Sequence, residues 1–382
     1  MQKNKTIVVL GGGISGIVAA RELRRHLGLS HRVLLIDRQP VFSFFPSFLW
    51  VMIGWRLPEV IQKSLSLLEK HGIEFRQAVV EEIIFEKKQV RTNREIIDYD
   101  YLVIAMGAEM FTERVPGLAD ASFTFYTIAG AVEIYNNIKQ NSGSRIAIVI
   151  PGLPYTCPVA PYEAAFLLNS FCKRRGVKDC KIELYTPEEL PIAATGTDIA
   201  LRVHSLLAER GISFFPNKVL SSVDKSPRKI HFADGSSATY DMLIALPPQN
   251  LPQVLCGTKL TDKTGWIPVD AKTLRTEIPN VFAVGDITNI VGAGGLHLPK
   301  TGVVAADQGE VVAGIIAAEL GLYTFTNEYA GDYYSFLEIG NSRAAYMSGN
   351  LFSGTGLVFH EPNVTYHWGK VVFEKYWLWR WF

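Results

Sequence analysis

The sequence predicts an α/β protein of two Rossmann-like domains, the first split around the second, followed by a small C-terminal region. Three observations carry this prediction. A glycine-rich turn joins a β-branched strand to a helix near the N-terminus. A second strand–loop–helix unit of the same order starts at Arg145. Two further apolar strands with small-residue ends, Tyr101–Gly107 and Asn280–Asp286, flank that second unit. The expected limits are 1–115 and 275–325 for the first domain, 116–274 for the second, and 326–382 for the C-terminal region. A chain of 382 residues is long enough for this division.

In the first unit, Thr6–Leu10 is a continuous apolar run, as expected of a buried parallel strand. It leads into Gly11-Gly12-Gly13-Ile14-Ser15-Gly16 and a helical pattern through Leu27. Gly11, Gly13 and Gly16 complete GxGxxG between strand and helix. The first allows the tight turn, the second leaves room for a pyrophosphate, and the third lets helix and strand pack closely. The phosphates would meet the free N–H groups and positive end of the helix. A second strand, Arg32–Ile36, ends at Asp37, where an acid holds a ribose hydroxyl.

Composition narrows the partners. The formal net charge is +1, which gives no basic footprint for nucleic acid. The four cysteines, Cys157, Cys172, Cys180 and Cys256, follow no metal-binding spacing, and no metal site is expected. No apolar signal core precedes the first strand, and no uncharged run spans a bilayer. The apolar stretch Phe42–Gly54 is short and interrupted by Pro46.

In the second unit, the strand Arg145–Ile150 is followed by helices near Tyr162–Lys173 and Asp198–Arg210, with a strand Lys181–Tyr185 between them. Tyr240–Pro248 closes the domain. The nucleotide loop here reads Gly152-Leu-Pro-Tyr-Thr-Cys157-Pro-Val-Ala-Pro-Tyr-Glu163. Pro154, Pro158 and Pro161 lack the backbone N–H groups on which a phosphate cradle depends. This argues against NAD(P)H as donor and for thiol chemistry at Cys157.

The pair of strands ending at Gly107 and at Gly285-Asp286 resembles the flavin-domain signatures of the pyridine nucleotide–disulfide reductase superfamily, with its glutathione-reductase-type fold. The resemblance implies FAD and gives Asp286 the flavin's ribityl chain. More narrowly, the chain resembles the sulfide:quinone oxidoreductases, a family that includes the flavoprotein of flavocytochrome c sulfide dehydrogenase. The GGGxSG loop, Cys157-Pro-Val-Ala-Pro-Tyr-Glu163, Ala245-Leu-Pro-Pro248, Gly265-Trp-Ile-Pro-Val-Asp270 and Leu298-Pro-Lys-Thr-Gly302 carry it, in the expected order.

That resemblance implies electron transfer from sulfide or polysulfide through FAD to a membrane quinone. It places Cys157 on the flavin face opposite the quinone, where a thiolate could attack the flavin or carry a persulfide. The family's partner cysteine would lie around Tyr334–Glu338, where this chain has Ser335, and a third would lie around Phe123–Thr127, where none occurs. Helix geometry points Cys172 and Cys180 away from the Cys157 loop. A single thiol cannot accept sulfide by disulfide exchange. Two alternatives therefore stay open: a type II NADH:quinone dehydrogenase, which would need glycines at 151–156, and a flavin-binding relative with changed or lost sulfide activity.

Thr301 is expected to cap the helix Gly302–Leu320, whose positive end, with Lys300, would favour negative charge on a reduced flavin. His297 could relay protons, and Glu163 could act as acid or base beside Cys157. Four of the seven tryptophans fall in the last 17 residues, Tyr366–Phe382. With Lys370, Lys375 and Arg380 they suit a membrane interface, giving a monotopic attachment to the cytoplasmic face of the cell membrane. A homo-oligomer remains open.

Overall fold

The computed structural model describes residues 4–140, 145–177, 179–295, 297–324, 328–353 and 356–382. Five parallel strands form the first sheet, in the order Val281–Ala283, Tyr101–Ile104, Thr6–Leu10, Arg32–Asp37, Glu74–Gln77. All four residues of Tyr101–Ile104 and all three of Val281–Ala283 are buried, which explains their unbroken apolar sequences. The helices Ile14–Leu27 and Gly302–Glu319 pack together on one face. They approach closely at Gly309, where a Cβ would lie 2.6 Å from the Ser15 carbonyl oxygen.

On the other face, Leu251, Leu255, Leu260, Trp266 and Ile267 share a core with Val8, Leu10, Leu102 and Ile104. The chain therefore packs under the first sheet from about Leu251 onward, earlier than the expected crossing at 275. The expected limit at 325/326 falls outside the described residues.

The second sheet is parallel throughout, in the order Ser213–Phe215, Lys181–Tyr185, Arg145–Val149, Met242–Ala245. Its helices, Ala160–Arg174 and Thr197–Glu209, lie within two residues of the sequence expectation. The C-terminal region is an antiparallel sheet of Asp332–Glu338, Ala344–Asn350 and Leu357–Asn363. A helix, Val364–Trp381, follows, capped where the Asn363 side chain accepts from the Tyr366 N–H at 2.9 Å. No described helix is long and apolar enough to cross a membrane.

This last helix ties the chain's ends together. Trp377 stacks on Phe42 with ring centroids 4.9 Å apart and leans on Phe44 at 5.2 Å. The apolar stretch after Phe42 is thus the packing partner of the C-terminal helix, with the short helix Phe48–Met52 wholly buried.

Candidate active site

Two adjoining spaces define the site. The first is a cleft of about 390 Å³ along the carboxyl ends of the first sheet. Of the residues expected to hold a nucleotide, Gly11, Gly13, Ser15, Asp37, Gly107, Asp286 and Gly302 line it. Gly16 lies beneath, where an added Cβ would meet the Gly11 carbonyl oxygen at 1.8 Å. Gly285 also lies beneath; its N–H donates to Gln308 Oε1 at 2.7 Å, and it abuts Ser15. Gly13 and Gly107 differ: a Cβ on either would meet no protein atom within 4 Å, so both border open space. Asp37 accepts from the Gly12 N–H at 2.6 Å, which fixes the carboxylate beside the glycine turn.

Asp286 is half-buried on the cleft wall and accepts from Thr156 Oγ1 at 2.9 Å. Burial raises its proton affinity, against the opposing pull of Lys300 and that hydrogen bond. Lys300 itself stands behind the cleft. Its Nζ donates to the carbonyls of Asp286 and Thr288 and sits 3.5 Å from the centroid of the Trp266 ring. Burial brings its pKa down to about 8, partly offset by Asp286. Thr301 occupies the N-cap position, but its side chain makes no cap hydrogen bond. Its hydroxyl oxygen is instead buried without a partner at the border of the second space. His297 is exposed and lines a separate outer cleft with Thr195 and Leu351, so it does not join this site.

The second space is an apolar cavity of about 80 Å³. It shares Ile14, Phe45 and Gly302 with the cleft, and Phe44, Phe48, Phe125, Phe336, Phe373 and Trp377 give it aromatic walls. Its polar groups include Cys157, Glu163, Thr301, Ser335, Lys370 and Glu374. Cys157 and the position expected to hold a partner cysteine thus border one cavity, and that position carries a hydroxyl. Cys172 and Cys180 lie against each other elsewhere, and Cys256 contacts the carbonyls of Leu251 and Pro252.

Cys157 adopts the left-handed region, with φ +57°, which a non-glycine residue rarely occupies. Its N–H donates to the Lys300 carbonyl at 2.7 Å, and its carbonyl accepts from the Ala160 N–H at 2.9 Å. The loop of the second domain is so fastened to the segment before Gly302–Glu319 of the first. Cys157 is half-buried and lines the cavity, and burial, with Glu163 adding, pushes its thiol up to about 12. The protein's own groups thus favour the neutral thiol over the thiolate that the resemblance allows.

Glu163 is buried and accepts from Lys370 Nζ and, at 3.2 Å, from the Glu338 N–H. Burial raises its proton affinity while Lys370 lowers it. Lys370 corrects the sequence expectation: it is a buried partner of Glu163 rather than a surface cation for head groups. The signal that could have exposed it is its spacing. His367, Lys370, Glu374, Trp377 and Trp381 form the inward stripe of the helix, while Trp368, Val372, Tyr376 and Trp379 face outward.

The loop that carries Cys157 also fills the second domain's nucleotide position. Leu10 pairs with Ile36 and Val149 with Tyr185, so strand register puts Thr186 where the first domain has Asp37. Thr186 donates to Glu188 at 3.2 Å. Tyr155 donates to the same carboxylate oxygen at 3.0 Å, as does Tyr162. Two tyrosine hydroxyls and that of Thr186 thus converge on one buried carboxylate just past the strand Lys181–Tyr185.

The sequence model of pyridine nucleotide-disulphide oxidoreductases matches residues 5–309. The chain belongs to this family. Members are FAD-binding flavoproteins, and the residues fit FAD: open space at Gly13 and Gly107, acids at Asp37 and Asp286, and the orphaned Thr301 hydroxyl. A sulfide-quinone reductase of Aquifex aeolicus is 27% identical, over 98% of this chain and 91% of its own. Its solved structure matches with a TM-score of 0.88, 26% identity and coverage of 99% and 91%. A mitochondrial sulfide:quinone oxidoreductase of Mus musculus is 26% identical, over 74% of this chain and 66% of its own. A type II NADH:quinone oxidoreductase of Staphylococcus aureus (strain MSSA476) is 23% identical, over 94% and 91%.

Proposed function

We propose that this chain passes electrons from sulfide or polysulfide through FAD to a membrane quinone, while lying on a membrane surface. The observation that carries the reading is the Cys157 loop. It takes the place of a second nucleotide and sets a thiol in an apolar cavity that adjoins the flavin cleft.

Bound FAD supplies a two-electron carrier between the sulfur donor and the quinone. The chain's own groups do the rest. Asp37, Asp286 and the glycine turn hold and orient the cofactor, and the aromatic walls exclude water. Cys157 receives the oxidised sulfur as a persulfide. The balance closes: thiol, hydrosulfide, quinone and one proton give persulfide and quinol. Ser335 cannot form a disulfide, so sulfur enters by transfer onto Cys157 rather than by exchange. Glu163, paired with Lys370 in the cavity wall, is the proton donor within reach of a quinone there.

Attachment to the membrane rests on the outward stripe of the C-terminal helix. Trp368, Val372 and Trp379 are 59%, 63% and 76% exposed, an exposure that a water-facing helix rarely gives such residues. Phe373 and Trp377, on the same helix, line the cavity, which gives an apolar quinone a short path from lipid and sets it in the cavity of Cys157, not on the opposite flavin face that the resemblance implies.

The NADH:quinone relatives support a second reading, and one experiment separates the two. The FAD-loaded protein is mixed anaerobically with sulfide or with NADH, and flavin bleaching is followed. Rapid bleaching by sulfide alone, abolished by Cys157→Ser with FAD retained, is expected. Bleaching by micromolar NADH would transfer the chain to the second reading. No bleaching by either would make it a flavoprotein with changed or lost sulfide activity.

A further inference from the structure

Behind Glu163 lies a second buried carboxylate that the reactions above do not use. Glu338 ends the strand Asp332–Glu338 and is fully buried. Its N–H donates to Glu163 Oε2 at 3.2 Å, and its charge raises the proton affinity of Glu163. Its Oε1 meets His367 Nδ1 at 2.7 Å. Its Oε2 is buried without a partner. A buried carboxylate oxygen with no donor is costly, and it is the atom on which a mobile proton would rest.

His367 closes the series on the outside. It lies one turn before Lys370 on the C-terminal helix, and a tenth of its side chain reaches solvent. The rings of Trp50 and Trp55 pack against it, at 6.4 and 5.9 Å, and Trp368 follows it in sequence. The charges around the pair are few. Lys370 and Arg56 both face the Trp50 ring, at 5.2 and 4.5 Å; Arg56 is held by Glu374 at 3.0 Å, and Arg174 covers Trp55. Each of these cations is committed to an aromatic face or a carboxylate. Glu338 and His367 are left as an acid–base pair between the cavity wall and the surface.

We propose that Glu338 and His367 form the outer half of a proton route that reloads Glu163 after it has protonated the quinone. This rests on the quinone reading above. A quinone takes two electrons and one proton from the reduced flavin and a second proton from the Glu163 carboxyl, and leaves as quinol. At rest Glu338 meets Glu163 through its backbone N–H, so the Glu163 carboxylate is reloaded when the Glu338 carboxyl turns its unpartnered Oε2 toward it. Glu338 takes its replacement from the His367 imidazolium, and His367 is recharged from water. One solvent proton is consumed per quinol, as in the overall balance above, and no protein group is left altered.

The test uses the FAD-loaded protein reduced chemically with dithionite, so that it does not depend on the sulfur donor. Reduced wild type, Glu338→Gln and His367→Gln are mixed anaerobically with a short-chain ubiquinone, and flavin reoxidation is followed against pH. Both variants are expected to reoxidise about tenfold or more slowly above neutral pH, the scale of a lost general acid. Their solvent deuterium effect should increase, and imidazole should restore rate to His367→Ala. Sulfide-driven bleaching should be unchanged, a result that damaged folding would not give. Wild-type rates in both variants across the pH range would overturn the route alone. Equal slowing of both half-reactions, without imidazole rescue, would overturn it as well. Failure of the reduced wild type to react with quinone would overturn both the route and the reading beneath it.

Discussion

Replacing Lys370 with Met tests the polar wall of the cavity quantitatively. The side chains of Lys370 and Glu163 are 9% and 1% exposed, so the substitution leaves a buried carboxylate without its cation. Breaking a buried pair from one side costs about 3–5 kcal/mol. Glu163 can limit that loss by taking a proton. From its ordinary value of 4.5, protonation at pH 7.5 costs three pH units, or about 4 kcal/mol. The sign follows directly. In the variant the folded carboxyl has the raised pKa, so the folded state binds more protons than the unfolded chain above pH 4.5. Stability must then fall as pH rises, by about 1.4 kcal/mol per unit. The defect should be about 4 kcal/mol at pH 7.5 and little over 1 kcal/mol at pH 5.5. Taking 382 residues as one cooperative unit, 4 kcal/mol is about 5 °C in melting temperature. Thermal melts of Lys370→Met, Glu163→Gln and the double variant at both pH values provide the measurement. The double variant should regain most of the loss at pH 7.5. A defect that does not vary with pH, or a double variant no more stable than Lys370→Met, would refute the buried-pair argument.

Two further outcomes are expected. Gly13→Ala should leave the melting temperature of the FAD-free protein unchanged, since its Cβ meets no protein atom within 4 Å. Gly16→Ala, whose Cβ would meet a backbone oxygen at 1.8 Å, should lower it. Both should weaken FAD binding about 10- to 100-fold, read by fluorescence titration, and wild-type affinity in Gly13→Ala would contradict the cofactor position. The double substitution Trp368→Ser, Trp379→Ser should weaken binding to anionic lipid vesicles, read by sedimentation, by about thirtyfold, at roughly 1 kcal/mol per immersed ring, with sulfide-driven bleaching unaffected. Undiminished vesicle binding would remove the helix from the attachment surface.

The flavin half of the site was legible because its signals are local. Strand, glycine turn and acid follow one another within Thr6–Asp37, and each constraint is a backbone constraint that only glycine or a short acid satisfies. Cys157 was legible because prolines stand where a phosphate loop needs N–H groups. The polar wall was not. Glu163, Glu338, His367 and Lys370 come from three elements, and Glu163 meets Lys370 across 207 positions of sequence. The C-terminal helix concealed its lysine because both of its faces are aromatic. Trp377 and Trp381 pack on protein while Trp368 and Trp379 face outward, and hydrophobicity alone does not tell a core from a lipid boundary. His297 was misplaced for a simpler reason. Its bridge to Val291 turns it outward, and nothing in a lone loop histidine reports that turn.

The charges around Cys157 link the two halves of the proposed reaction. Burial is the main reason its thiol resists ionisation, but Glu163 adds to that resistance and Lys370 opposes it. When Glu163 takes up a proton, its opposition vanishes while that of Lys370 remains. Cys157 therefore ionises most readily when Glu163 is protonated. Moving a proton from Cys157 to Glu163 leaves the net charge of the cavity unchanged, so no isolated charge is created in an apolar space. The sulfur side of the site needs a thiolate, and the quinone side needs a protonated acid. An internal proton shift would start both sides of the cycle, before Glu338 and His367 reload Glu163, and it requires Glu163 and Cys157 to border the same cavity, as they do.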